Sequence, residues 1–351
     1  MSDSLTVAIL GAGGVGLSYA AWLASRGHRI RLWTPSGRSV APFRPAGNLS
    51  AGGLLSGMWR VAAANSLPDA VSEADVVILA IPSNVHRPVL SELVPLLAEK
   101  QVVILSAPIG FSSIFLRSRL QKAGKRNIVA VWPVPALNGR LQGPGEVYVS
   151  GARPALDVAA WPIDSAAIAT ELCRALFGID VIFIGDLLVA ELSNINAVAH
   201  AGNALCNLTR MEKGEIWFTY AGVTPRVARL IEAADKERIE IGAALGLKLK
   251  SFAAYLREWY GLQETNLASL TAKIAARPNP TPGPRTDCSR YVTEDIPYGI
   301  MGLAKLGQTL GTATVMLDTL ATIFDVLYEG ALSRETGIEA EIAEIVHPAS
   351  P

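Results

Sequence analysis

Along the first half of the chain, short and nearly continuous apolar runs alternate with longer segments whose apolar positions fall three and four apart. The runs are LTVAIL (5–10), RIRLW (29–33), ADVVILAIP (74–82), QVVILSAP (101–108), NIVAVWP (127–133), EVYVSGA (146–152) and VIFIG (181–185). Runs without polar alternation are what strands buried on both faces require. Between them, GLSYAAWLASRGH and SNVHRPVLSELVPLLAEK carry helical spacing, with Gly27 placed to stop the first helix. Strands alternating with helices predict an α/β unit built on a doubly wound parallel sheet. After about Asp186 the runs stop. Helical patterns then cover 187–212, 224–246, 248–260 and a set from about Gly299, interrupted by the proline-rich ARPNPTPGPRTD (276–287). The expected organisation is an α/β domain over residues 1–186 and an all-helical domain over 187–351.

Composition narrows the function classes. Half of the 351 residues are hydrophobic and 18% are charged, which permits a sizeable core and argues against disorder. Lys+Arg and Asp+Glu are both 31, so no nucleic-acid partner held by bulk electrostatics is expected. The first residues, MSDSLTVAIL, have no basic region and run straight into a strand pattern, so no signal peptide is expected. The apolar stretch Thr309–Leu332 contains Asp318, Asp325 and Glu329, and reads as a buried helix, not a membrane span. The apolar C-terminal helices are expected to complete the core or to form a homodimer face. Cys173, Cys206 and Cys288 are odd in number and far apart, which fits a reducing cytoplasm without a disulfide framework. His28, His86, His200 and His347 show no metal-ligand spacing, so no metal is expected.

Candidate chemistry begins at the first strand. Gly11-Ala12-Gly13-Gly14-Val15-Gly16 fits G-x-G-x-x-G, after a predicted strand and opening a predicted helix. Gly11 serves the tight turn, Gly13 the approach of backbone to a pyrophosphate, and Gly16 the close packing of helix on strand, with Gly14 counted among the cofactor-binding residues. This context predicts a Rossmann-type dinucleotide site; the competing reading is a structural glycine turn in another βαβ unit. At the end of the second strand, where an acid would bind the ribose of NAD, stand Trp33-Thr34-Pro35-Ser36-Gly37-Arg38. With no acid there, Thr34, Ser36 and Arg38 suit a 2′-phosphate, which favours NADP(H) over NAD(H). The competing reading makes Arg38 a solvated loop cation. Pro82, in Ile81-Pro82-Ser83-Asn84 at the carboxyl end of a strand, is placed to border the cofactor.

The first long helical pattern carries an unusual polar stripe. In SNINAVAHAGNALCN (193–207), Asn196, His200, Asn203 and Asn207 share one helix face without a single charge. A lone helical histidine is most often a packing residue. Here the stripe lies on the first helix after the nucleotide domain, expected to begin at an interdomain cleft, where ligand pockets occur. A hydride-transfer enzyme needs a proton donor, and His200 suits that near neutral pH. A carboxylate to orient it is available in RYVTEDIPYG (290–299), where Glu294 and Asp295 are equally placed by spacing, and helix capping is the competing role for either.

Taken together, GAGGVG, NxNxxxH (Asn194, Asn196, His200), AADKERIEIGAALG (233–246) and RYVTEDIPYG resemble the octopine/nopaline (opine) dehydrogenase family over nearly the whole chain. That family has a Rossmann domain followed by an all-helical domain. It joins the amine of an amino acid to a 2-oxo acid, commonly pyruvate, and reduces the imine with NAD(P)H. The resemblance implies that His200 is the acid/base and Asp295, not Glu294, its carboxylate partner. It further implies that Arg290 binds a substrate carboxylate and that Asn196 helps hold substrate or nicotinamide. Arg140, in WPVPALNGR (132–140), stands where relatives place an arginine near the oxo-acid carboxylate. Ala201-Gly202 follow His200 where the family often has proline. The alternatives are a ketopantoate-reductase-like or glycerol-3-phosphate-dehydrogenase-like reductase, and a nucleotide sensor without chemistry. The first typically uses a helical-domain lysine, and residues 187–209 contain none.

Overall fold

The computed structural model describes residues 4–333 and 336–347. Contacts divide the chain into two compact units: residues up to Pro108 with Ser112–Glu191, and Ile109–Phe111 with Leu192 onward. The division falls within a helix, Leu187–Ser193, that opens where the strand series ends.

In the first unit the elements run β1 (Thr6–Leu10), α1 (Gly14–Ser25), β2 (Arg29–Trp33), β3 (Ala46–Gly53), β4 (Gly57–Ala63), α2 (Leu67–Val71), β5 (Val76–Leu79), α3 (His86–Leu96) and β6 (Val102–Ser106). There follow α4 (Ser112–Lys122), β7 (Val129–Trp132), β8 (Leu137–Gly143), β9 (Glu146–Ala152), β10 (Ala155–Trp161), α5 (Ala166–Phe177) and β11 (Asp180–Gly185). They form one sheet in the order β11-β10-β7-β6-β5-β1-β2-β4-β3-β9-β8. Its centre, β7-β6-β5-β1-β2-β4, is parallel, as the apolar runs predict. β1, β5 and β7 are buried at every residue, which is why their sequences show no alternation.

The sheet as a whole is mixed. β3 pairs antiparallel with β4, β8 with β9, and β10 with β7. β3, β4, β8 and β10 have no counterpart among the predicted strands. Ala46–Gly53 reads AGNLSAGG and Leu137–Gly143 reads LNGRLQG, glycine- and polar-rich stretches that imitate loops. α1 packs on this sheet through Leu17, Tyr19, Ala20, Ala21 and Leu23. Tyr19, Trp132 and Phe177 meet edge to face with centroids 5.0–5.7 Å apart. The buried Tyr19 hydroxyl lies 2.6 Å from Ser106 Oγ and accepts from the Ala136 amide; burial pushes its pKa above the ordinary phenol range.

The second unit is helical. α6 (Leu187–Ser193) and α7 (Asn196–Glu212) are separated by two residues, and Asn194 Oδ1 accepts the Asn196 amide at the break. α8 (Pro225–Ala244), α9 (Phe252–Tyr260), α10 (Leu267–Ala275) and the single turn α11 (Arg290–Thr293) follow. A π-helical turn, Asp295–Ile300, leads into α12 (Met301–Thr309), α13 (Val315–Leu327) and α14 (Glu339–Val346). The predicted helix over Thr309–Leu332 is therefore shorter, Val315–Leu327. Gly311 adopts φ +70° after α12, and the chain restarts at Val315 with Glu237 accepting the Met316 and Leu317 amides.

Two glycines set the close approaches in this unit. A side chain at Gly202 would meet Ile231 of α8 at 2.7 Å, and one at Gly299 would meet Ala197 of α7 at 2.4 Å. Glycine instead of proline after His200 thus lets α7 lie against α8. The charged cluster 235–238 is only partly a surface feature. Lys236 pairs with Glu240 on the outside, but Arg238 is fully buried, 2.7 Å from Asp235. Arg238 also donates to the carbonyls of Leu192 and Lys250, and Asp235 accepts the Phe252 amide. No helix among the described residues is long and apolar enough to cross a membrane.

Candidate active site

The glycine-rich turn joins β1 to α1. Gly11 has φ +131°, and a Cβ there would lie 2.2 Å from the Ala80 carbonyl oxygen at the end of β5. A Cβ at Gly16 would lie 2.2 Å from the Gly11 carbonyl oxygen, so α1 closes directly onto the turn. At Gly14 it would strike Gly139 of β8 at 2.3 Å. Gly13 differs from all three. It caps α1 with φ −83° and ψ −174°, ordinary extended backbone, and a Cβ there would meet nothing within 4 Å. Neither conformation nor packing demands glycine at that position. The first turn of α1 that it opens carries no acidic residue, so an anion could approach there, and such an approach would demand glycine.

The turn after β2 carries the residues expected to select the cofactor. Thr34 is buried, and its Oγ1 has no partner among the described residues. Ser36 Oγ accepts the Arg38 amide at 3.4 Å. Arg38 is exposed, and the Arg44 guanidinium lies 2.9 Å from where a Gly37 Cβ would stand. Arg44 was not predicted. It follows a short helical turn, Ala41–Phe43, that brings it back over Gly37, a contact six residues of loop sequence do not reveal.

Pro82 is exposed and extended at the carboxyl end of β5. Just beyond it, His86 is buried between Ile81 and Ser112. The Ile81 carbonyl can only accept, so His86 Nε2 carries the hydrogen and Nδ1 accepts from the Ser112 hydroxyl. Burial lowers the His86 pKa to about 4. Arg140 lies on β8, its Cα 3.1 Å from a Gly14 Cβ position, which puts it beside the glycine-rich turn.

In the helical unit, His200 of α7 and Asp295 of the π-helical turn meet, Nδ1 to Oδ2, at 2.7 Å. Asp295 is fully buried, and its second oxygen has no hydrogen-bond partner among the described residues. With the carboxylate oxygen as acceptor, the hydrogen sits on Nδ1 and Nε2 carries the lone pair. Glu294 is the residue before the π-turn and does not meet the imidazole in this way. Desolvation lowers the His200 pKa, and Arg290 adds to that; Asp295 opposes both. Arg290 itself is exposed and makes no ion pair among the described residues. Asn196 opens α7 one helical turn before His200. The other two stripe residues serve the fold: Asn203 donates to the Thr219 carbonyl and Asn207 to the Asn203 carbonyl.

Tyr291 was not predicted either. Its ring stacks on the His200 imidazole with centroids 3.6 Å apart and planes 8° from parallel. Only the approach of α11 to α7 creates that contact.

Residues 184–328, which hold His200, Arg290 and Asp295, match the family profile described as NAD/NADP octopine/nopaline dehydrogenase, alpha-helical domain. Residues 6–108 match the NADP oxidoreductase, coenzyme F420-dependent, profile. An opine dehydrogenase from Arthrobacter sp. (strain 1C) is 27% identical over 345 residues, covering 95% of this chain and 94% of the relative. These matches support the opine dehydrogenase family for this chain. Solved structures of the family share its fold. Octopine dehydrogenase in complex with NADH and agmatine superposes with a TM-score of 0.77 at 16% identity, covering 97% of this chain and 96% of that one. NADP+-bound yersinopine dehydrogenase gives 0.77 at 18% identity, with 98% of each chain covered. The motifs that carry the family resemblance in the sequence fall within the residues these two profiles match. Among the described residues, no three or more His, Cys, Asp or Glu side chains are grouped to hold a metal ion.

Proposed function

We propose that this protein is an NAD(P)H-dependent opine dehydrogenase that condenses the amine of an amino acid with a 2-oxo acid such as pyruvate and reduces the resulting imine. The observation that carries the reading is the His200–Asp295 pair, its carboxylate buried, inside the region that matches the octopine/nopaline dehydrogenase domain. The cofactor, when bound, supplies the hydride. What remains for the chain is to move protons and to hold anions.

An amino acid arrives as an ammonium ion, which cannot attack a carbonyl until it loses a proton. His200 is suited to take it. Its depressed pKa keeps the ring neutral near pH 7, and its hydrogen faces Asp295, leaving the Nε2 lone pair free. The imidazolium that forms is stabilised by the Asp295 carboxylate, whose solvation is replaced by that single partner. Returning the proton to the carbinolamine hydroxyl lets water leave. The exposed guanidinium of Arg290, which makes no ion pair among the described residues, suits a planar carboxylate, and we assign it to substrate. Asn196 supplies an amide one turn away. Arg140, beside the glycine-rich turn, we assign to an anion held there, with the oxo-acid carboxylate as the first candidate.

We favour NADP(H) over NAD(H). The turn after β2 lacks an acid, and Arg38 and Arg44 both stand beside Gly37 or next to it in sequence. Two guanidinium groups and the unpartnered Thr34 hydroxyl suit a 2′-phosphate better than a bare ribose. Free cysteines fit a cytoplasmic setting, and the exposed Val315, Val326 and Leu327 of α13 fit a homodimer face, which sedimentation velocity tests.

The deciding experiment is an NADPH-oxidation screen of 2-oxo acids against amino acids. Oxidation that requires both partners, with a secondary amine as product, is the expected outcome. NADPH binding without oxidation by any pair replaces this reading with that of a sensor. His200→Ala lowers kcat by roughly 10²–10⁴-fold and leaves NADPH affinity nearly intact. A wild-type rate in that variant removes His200 from the mechanism.

A further inference from the structure

The His200–Tyr291 stack is an odd arrangement for two neutral rings. Their planes are 8° from parallel and their centroids 3.6 Å apart, so the rings lie almost directly face to face. Neutral aromatic pairs avoid that sandwich, because both faces carry negative quadrupole charge, and prefer offset or edge-to-face contacts. The same unit shows the preferred pattern elsewhere: Tyr220 with Tyr260 and Tyr255 with Trp259 meet edge to face. The sandwich becomes favourable when one ring is a cation. Tyr291 is held in place from its far end, where its hydroxyl lies 3.4 Å from Thr219 Oγ1, and Thr219 donates its amide to Thr281. Asn203, from the stripe on α7, donates to the Thr219 carbonyl. The helix that carries His200 therefore also buttresses the segment against which Tyr291 rests.

We propose that Tyr291 is a positioning residue for the acid–base step, fixing the plane of His200 and stabilising its imidazolium through the ring face. The assignment rests on the acid–base role proposed for His200. The charged groups acting on the imidazole among the described residues are Asp295, through Nδ1, and Arg290. Asp295 favours the cation and Arg290 opposes it. Tyr291 adds to the Asp295 side without adding a second negative charge, so His200 gains proton affinity while its Nε2 stays open to a substrate proton. With one face of the imidazole covered and Nδ1 engaged, proton exchange is confined to Nε2.

Three variants test this in the full-length protein: Tyr291→Leu, Tyr291→Phe and replacement of Tyr291 by pentafluorophenylalanine. The last keeps ring and shape but reverses the quadrupole, so it remains informative if the leucine variant does not fold. The readouts are the NMR titration of the His200 imidazole, assigned by its loss in His200→Ala, and the acid limb of kcat/KM against pH. Loss of a cation–π contact corresponds to a shift of about half a pH unit. Tyr291→Leu is expected to lower the His200 pKa by that amount and pentafluorophenylalanine by at least as much. Tyr291→Phe, which keeps the ring face, should titrate as wild type. The acid limb should move with the titration, and the KM for NADPH should not change. An unchanged titration in the fluorinated or leucine variant overturns the proposal. So does a phenylalanine variant that shifts as far as leucine, since the hydroxyl and not the ring would then be responsible. Because the titration needs no substrate, a shift in a protein without opine-forming activity would reject the proposed function and keep this inference.

Discussion

At Gly13 the protein itself gives no reason for glycine: φ is −83° and the space around a Cβ is empty to 4 Å. A methyl group there costs the fold nothing and blocks only what approaches from outside. Gly13→Ala should keep the wild-type melting temperature and weaken NADPH binding by about tenfold or more, that is by about 1.4 kcal/mol. Equal affinity with equal stability would show that no dinucleotide backbone approaches this turn. Residue identities such as this one are legible in sequence because the motif states them with its context. Arg44 and Tyr291 are not. Each acquires its meaning from a contact across a loop or between helices, Arg44 over Gly37 and Tyr291 against His200. The choice between Glu294 and Asp295 belongs with them. Spacing leaves the two equal, the family resemblance selects Asp295, and in the structure Asp295 is the one that meets the imidazole.

Elements were legible where burial is symmetric. β1, β5, β6 and β7 are apolar runs because water reaches neither face, and α7 announces itself by its uncharged stripe. β3 and β8 escaped because glycine and polar residues dominate them, and their local preferences say loop while pairing with neighbours makes sheet. The 235–238 cluster divides between two environments. Charges four to a row on a helix suggest solvent, yet Arg238 is enclosed and linked to Asp235, Leu192 and Lys250. That pair ties the end of α6, the middle of α8 and the start of α9. Asp235→Ala would leave a buried guanidinium without its carboxylate, at a cost of about 3–5 kcal/mol. Urea unfolding followed by a probe in the helical unit measures this. A loss below about 1 kcal/mol would mean the pair behaves as a surface pair does.

Across the whole molecule, buried histidines make stability depend on pH in one direction. Desolvation lowers the pKa of His86 to about 4 and also depresses that of His200, from an unfolded value near 6.5. Above pH 6.5 both states hold the neutral ring and no stability is lost. Between pH 6.5 and about 4 the unfolded chain takes up a proton at position 86 that the folded chain refuses, so the folded state weakens as pH falls. The slope from one such group is about 1.4 kcal/mol per pH unit, or about 2 kcal/mol on going from pH 6.5 to 5. His86→Gln removes the group that charges. Whatever its absolute stability, that variant should lose about 2 kcal/mol less than wild type between pH 7.5 and 5, as read from urea midpoints. Parallel losses in the two proteins would show that His86 is protonated in the folded state. The two hydrogen bonds that fill its ring nitrogens would then need another arrangement, because the Ile81 carbonyl accepts in either form but the Ser112 hydroxyl would have to turn from donor to acceptor.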